Sequence, residues 1–188
     1  MNNGPQISRL PKQKRTAQIK PELAVRWGKM NSPLGPLFIA VSDRGVCALE
    51  FGAAKPKFTK LPKTAARLEE NSRAVAPIEA QLREYFVGQR SQFDIALDTS
   101  ALTSFQRKVL EITRLIPPGH AWTYRDLAQR MGNPNAARPV GQALARNPIA
   151  IIIPCHRVIA SDKSLGGYSG GSGLAAKRWL LRHEGVPS

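Results

Sequence analysis

The chain has 188 residues, enough for one good hydrophobic core or two small ones without a disulfide scaffold. With 42% hydrophobic residues it is not disordered throughout, and its longest apolar run, Ile149 to Ile153, falls far short of the roughly 20 residues that span a bilayer. The formal charge of +15 is uneven: residues 1–30 carry seven basic and one acidic side chain, residues 31–100 nine and eight, and residues 101–188 twelve and four. A basic excess on a tail and on one half of the chain suits contact with a polyanion, a solubilising bias being the plainer alternative.

Residues 1–22 mix Asn, Gly, Pro, Gln, Lys and Arg without an apolar period and read as a disordered basic tail. No signal-peptide pattern precedes the two cysteines, Cys47 and Cys155, so a reducing intracellular compartment is expected: the cytoplasm, or the nucleus in a eukaryote.

Residues 23–98 read as an α+β module. The runs Val25-Arg26-Trp27, Leu37 to Val41 and Val46 to Phe51, with a turn at Ser42-Asp43-Arg44-Gly45, predict a small antiparallel sheet. A helix is predicted from about Pro77 through Ile78, Leu82 and Phe86 to a stop at Gly88, then a strand over Phe93 to Leu97 and a linker from Asp98 to Leu102.

Residues 99–188 read as mostly helical. Thr103 or Ser104 caps a helix with Phe105, Val109, Ile112 and Ile116 at helical spacing, ended by Pro117-Pro118-Gly119. Thr123 and Asp126 form a capping-box pattern for a short helix closed by Gly132. A third helix follows, over about Ala136 to Arg146 with Ala137, Val140 and Leu144 inward. Pro139 is tolerated only in a first turn, which puts the start near Arg138. Two short helices joined by a tight turn are a helix-turn-helix candidate.

Behind that pair, the buried run Ile149 to Ile153 delivers Pro154-Cys155-His156-Arg157. A thiol reacts as thiolate, and a neighbouring His or Arg favours that form. Alone, a cysteine beside a histidine is more often an ordinary buried thiol. In an extended chain His156 would point away from the sulfur, so a water would have to carry the proton.

The company of that cysteine carries more. Thr123-Tyr124, Asn135-Ala136-Ala137-Arg138, Asn147-Pro148, Ile153 to Val158, Gly167-Tyr168-Ser169-Gly170 and His183-Glu184-Gly185 together resemble the O6-alkylguanine-DNA alkyltransferase family. Ser32 to Leu37 and Gln81 to Phe86 resemble, less specifically, its amino-terminal module. The resemblance implies a ribonuclease-H-like module followed by a winged-helix-like domain. It also implies repair of duplex DNA containing O6-alkylguanine by a monomer that needs no cofactor or metal.

Under that resemblance Cys155 accepts the alkyl group, His156 is its base through a water, Glu184 orients the imidazole and Asn147 holds the cysteine turn. Tyr124 rotates the phosphate and donates to guanine N3, and Arg138 fills the gap left by the extruded nucleotide, with Arg125, Ala137 and Arg146 also on the DNA. Leu144, Val158, Tyr168 and Ser169 line the base pocket, the carbonyls of Cys155 and Val158 reading the exocyclic amine and the Ser169 amide meeting O6. The thioether product is stable, so each molecule acts once. O4-alkylthymine is a further substrate to consider.

Two features depart from the pattern. Ser172-Gly173 lengthens the loop after Gly171 by two residues, and Cys47 is the only Cys or His before His120, which leaves no ligand set for a structural zinc. Three other readings stand beside alkyl transfer: a damage-binding relative that recruits other repair factors without transfer, a basic helix-turn-helix regulator, and a cysteine hydrolase. The first replaces the acceptor cysteine, the second leaves His156, Asn147 and Glu184 unexplained, and the third predicts turnover.

Overall fold

The computed structural model describes residues 1, 23–52, 58, 61 and 65–186, so the predicted tail lies, apart from Met1, outside the described residues. A sheet module is followed by helices. Strands β1 (Leu23–Ser32), β2 (Gly35–Ser42), β3 (Gly45–Phe51) and β4 (Ala65–Glu70) form one sheet in the order β3-β2-β1-β4. The three predicted runs are β1 to β3, paired antiparallel. β4 was not predicted; it runs parallel to β1 and makes the sheet mixed. Its residues Arg67 to Glu70 are all exposed, so no alternation marks the strand, and its backbone pairing alone defines it.

Helix α1 (Ser72–Phe86) begins five residues before the predicted start. Asn71 is the N-cap, its side-chain oxygen accepting the Ala74 N–H at 3.1 Å, and Pro77 lies inside the helix. Pro77, in the second turn, forgoes one intrahelical hydrogen bond, and the helix continues through it. Val75, Ile78, Leu82 and Tyr85 form the buried face of α1. The predicted strand over Phe93 to Leu97 reduces to one parallel bridge, Val46 to Leu97, flanked by Val46 N–H to Ala96 at 2.9 Å and Asp98 N–H to Val46 at 2.8 Å. That approach admits no side chain at Gly45, where an added carbon would sit 2.2 Å from the Ala96 carbonyl oxygen.

The predicted linker is anchored. The buried Asp98 carboxylate accepts from Ser42 Oγ at 2.6 Å and from the Ser100 N–H at 3.0 Å. Helix α2 (Ser104–Thr113) is capped by Thr103 in a reciprocal pair with Gln106. Strand β5 (Trp122–Thr123) leads into α3 (Tyr124–Arg130), where Thr123 and Asp126 make the predicted box, at 2.7 and 3.1 Å. A 3-10 turn, Pro134–Ala136, precedes α4 (Ala137–Ala145), so Pro139 falls in a first turn where its missing N–H leaves no gap. Strand β6 (Val158–Ile159) pairs parallel with β5, and α5 (Leu174–His183) closes the chain's described part.

One apolar cluster joins both halves, with Leu37, Leu49 and Leu82 from the sheet module and Val109, Leu127, Val140, Ile153 and Leu180 from the helices. The remaining edge of β3 binds both segments that flank the helix-turn-helix. Residues 96–98 take its start, and residues 148–150 take its end through Leu49 N–H to Pro148 at 2.8 Å and Ala150 N–H to Leu49 at 3.2 Å. The chain that leads into Cys155 is therefore pinned to the sheet.

Candidate active site

The segment Ile149 to Ile153 is buried and tightly folded. Ile152 N–H bonds to Ala150 at 2.8 Å, Ile153 N–H to Ile149 at 3.0 Å and Cys155 N–H to Ile153 at 2.8 Å. Ile151 has φ +69°, a left-handed conformation that costs a β-branched residue of the order of 1–3 kcal/mol and persists only where its surroundings hold it. Asn147 supplies that hold. Its side-chain oxygen accepts from the Ile149 N–H at 3.0 Å, and its Nδ2 donates to the Ile153 carbonyl at 2.9 Å and to Cys155 Sγ at 3.2 Å.

Cys155 opens a 3-10 turn, Cys155–Arg157, rather than an extended run, and is 9% exposed. His156 is fully buried, with Nε2 3.0 Å from Glu184 Oε1. Its Nδ1 has no hydrogen-bond partner among the described residues. The Glu184 side chain, 3% exposed at the C-cap of α5, also accepts from Tyr85 Oη at 2.8 Å and from Arg157 through Nε at 2.7 Å and Nη2 at 2.9 Å. Arg157 Nη1 donates to the Ile116 carbonyl at 2.6 Å.

Burial alone would raise the Glu184 pKa, but the bonds and charges of His156 and Arg157 outweigh it and hold the carboxyl well below the usual range. Burial lowers the His156 pKa against the pull of Glu184, so the imidazole stays neutral near pH 7 and is able to accept a proton. Arg157, read from sequence as a cation near the thiol, is committed to Glu184 and Ile116.

The other thiol is a contrast. Cys47 is buried in the sheet against the Ala40 carbonyl, and burial first, then the Asp98 charge, pushes its pKa up to about 12. No base faces it in the hydrogen bonds of the described residues.

A cavity of about 230 Å³ opens on Cys155, walled by Tyr124, Gly141, Leu144, Ala145, Gly167, Tyr168 and Ser169. Tyr124 is the first residue of α3, and burial raises its pKa, opposed by a Gly167 backbone hydrogen bond and reinforced by Cys155. Its phenol thus stays protonated and remains a donor. Ser169 Oγ donates to the Ala145 carbonyl at 3.1 Å, tying the loop to the end of α4. Burial also raises the Tyr168 pKa, and its Oη has no hydrogen-bond partner among the described residues.

Exposed Arg138 sits at the second position of α4 and, with Arg125 and Ala137, lines a surface groove of about 540 Å³ that shares Tyr124, Gly141 and Ala145 with the cavity. Arg146, exposed at the other end of α4, lines neither that groove nor the cavity. Val158 does not line the cavity either; its side chain is buried and its carbonyl accepts from Lys177 Nζ at 2.5 Å.

Lys177 is a residue beside the site that the sequence reading did not single out. It is fully buried and donates to the carbonyls of Val158, Leu165 and Gly167, bracing the loop beside the cavity. Burial lowers its pKa to about 8, offset in part by Cys155. The spacing of Lys177, Leu180, Leu181 and Glu184 is one helix face and was the available signal. Tyr85 carried none. Among the described residues no group of three or more His, Cys, Asp or Glu side chains is placed to hold a metal ion.

Similarity to known proteins extends over most of the chain. The family model for the 6-O-methylguanine DNA methyltransferase ribonuclease-like domain matches residues 25–99, and that for its DNA-binding domain matches residues 104–186. A methylated-DNA--protein-cysteine methyltransferase of Shigella flexneri is 39% identical over 162 residues, 84% of this chain and 94% of the relative. The protein of that name from Mycolicibacterium paratuberculosis is 46% identical over 160 residues, 85% of this chain and 92% of the relative. A crystal structure of Mycobacterium tuberculosis OGT in complex with DNA superposes with a TM-score of 0.75 at 34% identity, covering 87% of this chain and 96% of that one. With a thiol held by Asn147, a buried His156–Glu184 pair behind it and matching models over both halves, the chain belongs to the 6-O-methylguanine DNA methyltransferase family.

Proposed function

We propose that this protein repairs duplex DNA by moving the alkyl group of an extruded O6-alkylguanine onto Cys155, once per molecule. The observation that carries the proposal is the Cys155 sulfur, held at 3.2 Å by Asn147 at the wall of a cavity that opens beside the exposed Arg138 helix. Extrusion of the base is part of the reading, and the burial of Cys155, 9% exposed, supports it, since a base stacked inside a duplex would not reach a thiol so enclosed.

The electron count is simple. The Cys155 thiol gives its proton, through a water, to the free Nδ1 side of His156, and Glu184 stabilises the imidazolium at Nε2. The thiolate forms a sulfur–carbon bond as the carbon–O6 bond breaks, and its electron pair stays on guanine. Tyr124 meets the charge that develops there. Arg138 occupies the vacated stack, and the exposed Arg125 lies on the same groove. A thioether has no route back to thiol without a second nucleophile, hence single turnover. O4-alkylthymine presents the same kind of alkyl–oxygen bond and is the second substrate to test. The protein acts as a monomer on the chromosome, in the cytoplasm of a prokaryote or the nucleus of a eukaryote.

The test is a duplex containing O6-methylguanine, followed by intact mass and peptide mapping. One methyl on Cys155 with guanine restored is the expected result. Tight binding without a mass change would instead indicate a damage-binding protein, and repeated turnover on an acyl ester a hydrolase.

A further inference from the structure

The Glu184 carboxylate is held from two separate parts of the chain. Its Oε1 faces His156 Nε2 at 3.0 Å and accepts from Arg157 Nη2 at 2.9 Å and from Tyr85 Oη at 2.8 Å, while Oε2 accepts from Arg157 Nε at 2.7 Å. These contacts use about all the acceptor sites a carboxylate has. His156 and Arg157 share one 3-10 turn and move together, and the carboxylate itself rides on the end of α5. Tyr85, near the end of α1, is the contact from outside both. Two bodies joined at one place can hinge there, and a third point of attachment removes that freedom. We infer that Tyr85 is a positioning residue for alkyl transfer: its hydroxyl fixes Glu184 Oε1 against His156 and sets how strongly that carboxylate pulls on the imidazole. Through it the ribonuclease-like module takes part in the chemistry at Cys155. The inference rests on the alkyl-transfer reading above.

The phenol is built in as a donor. Tyr85 is 1% exposed, its ring edge-on to Phe86 at 5.4 Å and to His183 at 5.1 Å and tilted against Phe93 at 5.4 Å. His183 Nε2 lies 2.7 Å from the Tyr85 carbonyl, and the His183 ring stacks on Trp179 at 4.8 Å. Helix α5 thus seats the backbone of the residue whose side chain seats Glu184. Burial, and after it the Glu184 charge, raises the phenol pKa far above its ordinary 10.0, so the hydroxyl keeps its proton and donates.

The chemical consequence falls on His156. Glu184, held ionised, has no proton to give, so Nε2 carries the hydrogen of the neutral imidazole. Nδ1, which has no hydrogen-bond partner among the described residues, then keeps the lone pair that takes the Cys155 proton. The Tyr85 bond draws on the same Oε1 charge that Nε2–H meets. Without the hydroxyl more of that charge is left for Nε2–H, and with a stronger donor less is left. The other ionisable groups around the pair are Arg157 and Cys155 on the turn, Lys177 and His183 on α5 and Tyr168 in the loop, and none of them is altered in the test.

Two variants bracket the wild type. Tyr85→Phe deletes the hydroxyl, and 3-fluorotyrosine introduced at the same position is a more acidic phenol, hence a stronger donor, of nearly the same shape. In protein labelled with 15N-histidine, the His156 Nε2–H proton resonance should move downfield in Tyr85→Phe and upfield with fluorotyrosine. Loosening of the packing would carry both variants the same way. Single-turnover methyl transfer from a duplex containing O6-methylguanine should slow roughly tenfold in Tyr85→Phe at saturating DNA, with the DNA concentration for half-maximal rate within about twofold of wild type. Resonance shifts of one sign, no shift in either variant, or a saturated rate within about twofold of wild type would each overturn the positioning role. Absence of methyl transfer by the wild type would instead overturn the alkyl-transfer reading and with it the part of Tyr85 in transfer, while the resonance shifts, which need no substrate, would still report its bond to the pair.

Discussion

His156 Nε2 lies 3.0 Å from Glu184 Oε1 across a sequence separation of 28 residues, and the same carboxylate is gripped by Arg157 and by Tyr85. A buried base, a buried cation and a buried phenol thus converge on one carboxylate. Behind the thiol, charge balance depends on that one side chain.

Glu184→Gln should therefore be costly twice over. Arg157 would be left buried with its charge uncompensated, for a loss of about 3–5 kcal/mol in urea unfolding. Transfer to Cys155 should also slow, because the imidazolium formed during proton removal loses its counter-charge. Unchanged transfer in the folded variant would show that Glu184 is structural alone.

Stability should fall with acidity in two stages. The folded-state pKa of His156 is below its ordinary 6.5, so from that pH downward the unfolded chain takes up a proton that the folded one refuses. Glu184, also depressed, adds the same sign below its ordinary 4.5. In both cases the unfolded state binds more protons, so stability is retained above these values and lost below them, by at most about 1.4 kcal/mol per pH unit for each group. Chemical melts across the acidic range check this. In His156→Gln the first stage should vanish while the second remains.

Asn147→Ala removes the donor to Cys155 Sγ and Ile153 and the acceptor for Ile149. Leaving the buried Ile149 N–H unpaired, with the Ile153 carbonyl reduced to its bond from the Cys155 N–H, should cost about 1–3 kcal/mol, with the left-handed Ile151 the first residue to relax. Hydrogen exchange at Ile149 should rise before exchange in α2, and the rate of transfer should drop with it. Equal protection in the variant would remove Asn147 as the clamp.

Lys177→Met keeps the length of the side chain and loses its three carbonyl contacts. The loop over Leu165 to Gly167 should loosen, seen as faster proteolysis there. Transfer should be lost mainly as weaker substrate capture, because the Cys155 turn is still held by Asn147. A variant with an intact loop and normal capture would count against the brace.

Arg138 is exposed and makes none of the hydrogen bonds that hold the fold, so Arg138→Ala should leave stability within about 0.5 kcal/mol of wild type. On duplex DNA its repair rate should fall roughly tenfold or more, since holding a base out of the stack costs a few kcal/mol. On free O6-benzylguanine the two proteins should match. A duplex rate equal to wild type would remove the finger role.

What the amino-acid sequence determined by itself was local. The boxes at Thr103 and Thr123, the stop at Gly132, the three sheet runs and the buried approach to Cys155 all rest on interactions within a few residues, which spacing displays directly. At α1 the sequence offers both Pro77 and Asn71 as a start, and the helix begins at the Asn71 cap, whose side-chain oxygen accepts the Ala74 N–H. The tertiary structure decided the rest. β4 exists because β1 offers it an edge, although its residues Arg67 to Glu70 are exposed. Lys177 and Glu184 look like surface charges in the sequence, and only the packing of α5 against the core makes them interior ones. Tyr85 meets Glu184 from 99 residues away, and the end of β3 lies beside the cysteine turn because Leu49 pairs with the chain before Cys155. Whether a charge is solvated or buried, and which group answers it, depends on surfaces that exist only once the elements pack, and it is there that an ordinary cysteine–histidine pair becomes an organised site.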